Sequence, residues 1–322
     1  MRTSPLFKKT IVGALCFLPA TVLAAGVNST QQATSNFNNG YISFSARAGL
    51  GLATGEANEY VYEPLYNNHT VSKLIWTVDA LPMAGIGATL EFGGWLELNA
   101  DGWFRLADGS GTLDDYDYLD YDSDVWTDWS NSDADITEAE FLDINAGFAP
   151  FDLSAVKFNI IAGYKRDVLK WVASGGHYIY SEYGYRDSTG NLPEGPGISY
   201  KQTMEAPYIG VGAGIDLSGQ LALKGRFIYS PLVKGTAIDH HFLRNFSTKD
   251  TIDNGKMYGI DAAITWAFAH NLALEGSLAF HHYDTAQGDS EWRSAEGVYV
   301  FRDGAGMDQT ILNSSVKIRY SF

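Results

Sequence analysis

Two short pairs of side chains in this chain have the residue types of a proton-transfer site. Asp115 and Asp117 stand two apart within "LDDYDYLDYDSDVWTDWS" (113–130), and Asp239 and His241 stand two apart within "GTAIDHHFLRN" (235–245). In extended chain a spacing of two puts both side chains on the same side, about 7 Å apart along the backbone. Two neighbouring carboxylates resist simultaneous ionisation, so one of them keeps a proton near neutral pH. An aspartate beside an imidazole holds the ring in one orientation and favours its protonated form, the support a general-base histidine needs. A carboxylate pair facing such a histidine has the means to bind and activate one water. That water would attack a peptide carbonyl, with a carboxylic acid stabilising the oxyanion and delivering a proton. His240, between Asp239 and His241, is expected to point to the opposite side.

The acidic stretch has other readings. Seven of its eighteen residues are aspartate and none is basic, which also suits a solvated loop. Asp120, Asp122 and Asp124 have the spacing of the first ligands of an EF-hand, but Val125 stands where the turn needs glycine and Asn131 where a bidentate glutamate belongs. No His-Glu-x-x-His zinc motif and no Gly-x-Ser-x-Gly elbow occurs. No metal and no cofactor is therefore expected.

These pairs need elements to position them, and the rest of the chain says which kind. "MRTSPLFKKTIVGALCFLPATVLAAG" has basic Arg2, Lys8 and Lys9, a short apolar run and small residues at its end. That is the layout of a secretory signal peptide over 1–24, leaving a single domain over 25–322. Cys16, the only cysteine, falls inside it, so the exported chain has no disulfide framework. Loss of those three basic residues takes the net charge from −16 to −19, which excludes nucleic acid and favours cationic partners. No run of about twenty apolar residues follows, so no spanning helix is expected.

Alternation of period two points to a membrane β-barrel instead, with apolar residues toward lipid and polar or small ones toward the lumen. In "TILNSSVKIRYSF", Leu312, Val316, Ile318, Tyr320 and Phe322 share one face, and the chain ends on a terminal Phe. Similar segments lie near 41–52, 71–80, 84–103, 136–148, 155–167, 200–215, 220–233, 256–268, 271–283 and 309–322. "LPM" (81–83), "APFDLS" (149–154), "DLSG" (216–219) and "HN" (270–271) read as tight turns, and long polar stretches separate the other ends. The expected fold is all-β: a ten-stranded antiparallel transmembrane barrel with short periplasmic turns and long extracellular loops. The acidic stretch then falls in the second long loop, at the outer rim.

With these residues in place, the chain resembles the omptins, ten-stranded outer-membrane proteases of Gram-negative bacteria. The resemblance spans nearly all of the exported chain and is densest in "DYDYLD" (115–120), "WTDWS" (126–130), "GGHYIYSEYGYRD" (175–187), "GISYKQ" (197–202), "PYIGVG" (207–212) and "DHH" (239–241). It implies that Asp115, Asp117, Asp239 and His241 are catalytic, in an endopeptidase using activated water with neither a covalent intermediate nor a metal. It implies cleavage at basic residues, with Glu59 receiving the side chain before the cut and Asp128 the one after it. Leu113 and Ile198 join them as substrate-binding residues. The second acid of the first pocket would lie at residue 237, which is alanine here. Losing a carboxylate from a buried cation site costs about 1–3 kcal/mol, so preference for basic residues would be relaxed there.

The resemblance also implies bound lipopolysaccharide as an activating lipid, with Tyr164 as one contact on the outer wall. Arg166 and Val168 stand where the family has an acid and a base, and Thr203 where it has an arginine. Lys165, Arg166 and Lys170 would then meet the phosphates another way. The expected location is the bacterial outer membrane, with the site facing the exterior and peptides or proteins, mainly cationic, as substrates. The rival is a barrel adhesin without catalysis, its acids forming only a charged mouth. A barrel acting on lipid acyl chains is a further rival, suggested by His281 and His282.

Overall fold

The computed structural model describes residues 41–152 and 156–322; the expected signal peptide and Cys16 lie outside the described residues. Twelve strands run in order: β1 Ile42–Glu63, β2 His69–Phe92, β3 Leu96–Arg105, β4 Gly109–Asp117, β5 Asp128–Asp152, β6 Val156–Tyr180, β7 Ser188–Asn191, β8 Pro196–Asp216, β9 Leu221–His241, β10 Phe246–Ala269, β11 Leu272–Ser294 and β12 Gly297–Ser321. All pairings are antiparallel, and the sheet closes on itself through β12–β1, β1–β2, β2–β3, β2–β4 and β5–β6. Strands β3 and β4 both lie between β2 and β5 and form one wall position broken at 106–108. Strand β7 is a short flap on β6. The wall therefore has ten positions, as the alternation predicts.

Closure pairs the backbone without leaving an edge, which a bilayer requires. A band of outward apolar residues, among them Leu50, Ile86, Ile144, Ile160, Ile209 and Ile260, is exposed around the lower half of the barrel. Above it the outward positions turn charged, as at Asp133, Asp135 and Lys249, all exposed. The strands run on beyond this band, so much of each long outer stretch is itself wall.

Two local expectations are corrected. "LPM" is not a turn: β2 runs unbroken from His69 to Phe92. The register against β1 slips between Ala53 and Gly55, where Val78 and Leu81 both end up buried. This bulge breaks the period of two and mimics a turn in the sequence. The real turn is at 93–95, where Gly93 and Gly94 have φ of 55° and 75°, a conformation open to glycine at little cost. The segment "GGWLELNADGW" is thus this turn and the start of β3. Likewise Asp115 and Asp117 end strand β4, and only 118–127 form the loop.

The interior changes character with height. A cavity of about 550 Å³, with charged side chains from several strands in its lining, occupies the lower lumen. There Arg226 donates to Asp143 at 2.6 Å and to Tyr208 at 3.2 Å, and also bonds Asp261. Above it sits an apolar layer in which Trp76 stacks on Tyr200 with centroids 5.4 Å apart, and Trp171 donates to the Thr77 carbonyl at 2.9 Å. Trp76, Trp171 and Tyr200 are fully buried. The upper lumen is thus closed from below.

Arg226 ties β9 to both β5 and β10 by pairing Asp143 and Asp261. Arg226→Ala would take away the guanidinium that Asp143 and Asp261 share, leaving Asp261 with His281 and Asp143 with the neutral donors Tyr208 and Asn145, a loss of roughly 3 kcal/mol. The expected result is a lower urea midpoint for the detergent-refolded barrel, followed by its heat-sensitive gel migration; an unchanged midpoint would mean the network is fully solvated.

Candidate active site

Strands β4 and β9 carry the two predicted pairs into the upper lumen. They are separated round the ring by β5, β6 and β8 on one side and by β10, β11, β12, β1 and β2 on the other, so they face each other across the opening. On β4, alternation turns Asp115 and Asp117 inward. Asp114 turns the other way, accepting from Trp129 at 3.2 Å and Asn131 at 3.0 Å. On β9, Asp239 and His241 are buried, whereas His240 packs edge-on against Phe242 with centroids 4.6 Å apart.

His241 Nε2 lies 2.6 Å from Asp239 Oδ2. The ring stacks on Phe246 at 4.2 Å. Its Nδ1 lies 2.7 Å from the Arg244 guanidinium, which can only donate. Nδ1 is therefore the acceptor, and Nε2 carries the hydrogen that Asp239 accepts. This hydrogen-bond assignment makes Nδ1 the basic nitrogen.

Opposite, Ser72 Oγ donates to Asp115 Oδ1 at 3.2 Å. Burial pushes the Asp115 carboxyl up to about 8, with the charge of Asp117 acting in the same direction. Burial raises Asp117 too, helped by the charge of Asp128. The positive charge of Arg244 pulls both back down. The pair thus retains a proton at neutral pH, the state that two crowded carboxylates favour.

The other predicted residues surround these pairs. Glu59 on β1 is buried, with one carboxylate oxygen, Oε2, lacking a hydrogen-bond partner. Burial raises its pKa well above the usual range, and the charges of Asp239, Asp250 and Asp115 add to this. Asp128 lies directly across the ladder from Asp117 and accepts from the Ser181 backbone N–H at 2.9 Å. Leu113 is buried opposite Trp76, and Ile198 pairs with His241 while packing on the apolar layer. Ala237 is buried on the face that carries Asp239 and His241.

Tyr164 lies apart, exposed on the outer wall, where its hydroxyl bonds Glu205 of β8. Arg166 pairs with Glu140 at 2.9 Å. Lys165 is not available to external phosphates. Alternation turns it into the lumen, where it pairs with Asp167 at 3.0 Å and both side chains are buried.

Arg244 and Ser72 are the site neighbours that sequence reasoning missed. Arg244 had a visible signal, as the only basic residue in the turn that follows His241. Ser72 had none, because its role depends on the β2–β4 register.

An omptin family model matches residues 41–322. The chain is 28% identical over 285 residues to a plasminogen activator of Yersinia pestis, covering 87% of this chain and 90% of that one. It is 29% identical over 312 residues to the outer membrane protease OmpP of Escherichia coli, covering 95% and 99%. The crystal structure of the outer membrane protease OmpT from Escherichia coli superposes with a TM-score of 0.83 at 24% identity, covering 87% of this chain and 97% of that one, and supports the barrel fold. Since the family match takes in the whole barrel, this chain belongs to the omptin family of outer-membrane proteases.

Proposed function

We propose that this protease cuts peptide bonds at or near basic residues, using a water activated between the Asp115–Asp117 pair and the Asp239–His241 pair. The observation that carries this reading is the 2.6 Å Asp239–His241 contact facing, across the same opening, the Asp115–Asp117 pair, whose carboxyl pKa values are raised by burial. In this reading Arg244 moves off Nδ1 when substrate enters, and water takes its place. Nδ1 accepts a proton from that water as its oxygen attacks the peptide carbonyl carbon. Asp239 stabilises the imidazolium that forms. The protonated carboxyl of the Asp pair donates a hydrogen bond to the developing oxyanion. The imidazolium then returns its proton to the leaving amine as the C–N bond breaks.

Glu59 and Asp128 flank the pairs and would receive the side chains on either side of the cut, against walls formed by Leu113 and Ile198. The net charge of −16 of the full chain would draw cationic peptides toward the mouth. Lipopolysaccharide as activating lipid, with Tyr164 as a contact, belongs to the same proposal and is supported by that residue's exposure on the outer wall.

The direct test is cleavage of a fluorogenic Arg-Arg peptide by protein refolded with lipopolysaccharide. His241→Ala and Asp115→Ala should each lower kcat/KM by roughly 100- to 10,000-fold while the folded gel migration persists. Equal activity in all three proteins would refute the catalytic assignment. The shared proton also predicts an alkaline limb near pH 8, where the raised Asp115 carboxyl ionises. Because the charge of Arg244 lowers both carboxyl pKa values, Arg244→Gln should move that limb to higher pH. A limb that stays put, or moves down, would show that the Asp pair does not set it.

A further inference from the structure

Next to the catalytic pairs lies a group of buried hydrogen-bond acceptors that the protein satisfies only in part. Glu59 Oε2 and Gln202 Oε1 are both buried without a partner. Glu59 is 3% exposed and Gln202 is 0% exposed. The Gln202 amide nitrogen is already committed, to the Tyr200 hydroxyl at 3.3 Å and the Asp308 carbonyl at 3.2 Å. Its oxygen is thus the end left over.

Asp250 belongs to the same group, and the ladder explains why. In the register of β9 with β10, Asp250 stands directly across from Ala237; in the register of β9 with β8, Gln202 stands across from Ala237 on the other side. Three side chains at one level therefore share the lumen face, and the middle one is a single methyl group. Asp250 is 3% exposed, and Ser290 donates to its Oδ1 at 2.5 Å. Among the described residues, neither Asp250 nor Glu59 has a Lys, Arg or His within ion-pair distance. The charges of both act on the buried Tyr200 hydroxyl, as does that of Asp239.

A buried site with several acceptors, two of them acids, and only neutral donors such as the Ser290 hydroxyl is costly unless a cation or protons fill it. Protons can meet part of this demand, since burial and the charge of Asp239 push Asp250 up to about 7. A guanidinium brings five N–H donors in a planar fork, which suits separated acceptors better than the point charge of an ammonium. Ala237 puts only a methyl group between Asp250 and Gln202 at this level.

We propose that Asp250 is a specificity-determining residue, which together with Glu59 and the Gln202 carbonyl receives the arginine side chain preceding the scissile bond. The acid that residue 237 does not supply comes from the neighbouring strand instead. Preference for arginine is then kept despite Ala237. This inference rests on the basic-residue reading of the cleft.

Citrulline is the neutral isostere of arginine, so it isolates the charge. Two peptides differing only by Arg or citrulline before the cut are compared with lipopolysaccharide-refolded protein. The expected results are a strong arginine preference in the unaltered enzyme and a fall of the Arg-to-citrulline kcat/KM ratio by tenfold or more in Asp250→Asn. The double variant Asp250→Asn with Ala237→Asp should regain most of the ratio, since it returns a carboxylate to the same level from β9. A purely structural role would lower both rates together and would not be rescued. An unchanged ratio in Asp250→Asn, or equal losses on both peptides without rescue, overturns the proposal. An unaltered enzyme that cuts both peptides equally refutes the basic-residue reading itself, and the role of Asp250 falls with it.

Discussion

Everything in this molecule depends on a closed ladder of backbone hydrogen bonds. Within a bilayer no water satisfies a stray N–H or C=O, so the wall must pair with itself all the way round. Once closed, the wall frees the side chains of the lumen from the lipid environment. Arg226, Asp143 and Asp261 can then form a charged network at the depth of the apolar belt, because those charges face one another and not lipid. The same ladder continues above the membrane and carries the acidic cleft on rigid strands, with the catalytic candidates at their upper ends.

Height along the barrel decides what burial does. In the lower lumen acids are matched by bases. In the upper lumen they are not: Glu59, Asp115, Asp117, Asp239 and Asp250 gather over the apolar layer of Trp76, Trp171 and Tyr200, and among the described residues Arg244 and His241 are the bases set against them. Excess negative charge in a poorly solvated place raises carboxyl pKa values and leaves acceptors without donors. One physical condition thus produces both features of the cleft, raised carboxyl pKa values and buried acceptors without donors. The Arg244 guanidinium, 2.7 Å from His241, is the positive charge that the protein itself sets beside these acids.

Much of this was legible in the chain. Leu312, Val316, Ile318 and Tyr320 declare a lipid face by alternation alone, and all four are exposed in the barrel. The spacing of two puts Asp115 with Asp117, and Asp239 with His241, on single faces. Where the reading slipped, a local irregularity was the cause. The slip of β2 against β1 broke the period at 78–81 and looked like a turn, so the second and third wall positions were cut in the wrong places. The outer half of each strand also escaped, because there the outward residues are polar and the lipid-facing signal is gone.

The sequence by itself determined which residue types lie on which face, the order of the two candidate pairs and the membrane-barrel class, because period and spacing are properties of the covalent chain. Only the tertiary structure decided what stands beside what across strands. Asp250 lies eleven positions after Asp239, yet register sets it level with Ala237. Ser72 meets Asp115 by the same means, and Lys165 turns inward because its strand's phase within the closed wall leaves it no other side. Register is fixed by the packing of the whole ring, a long-range condition that no short stretch of sequence contains.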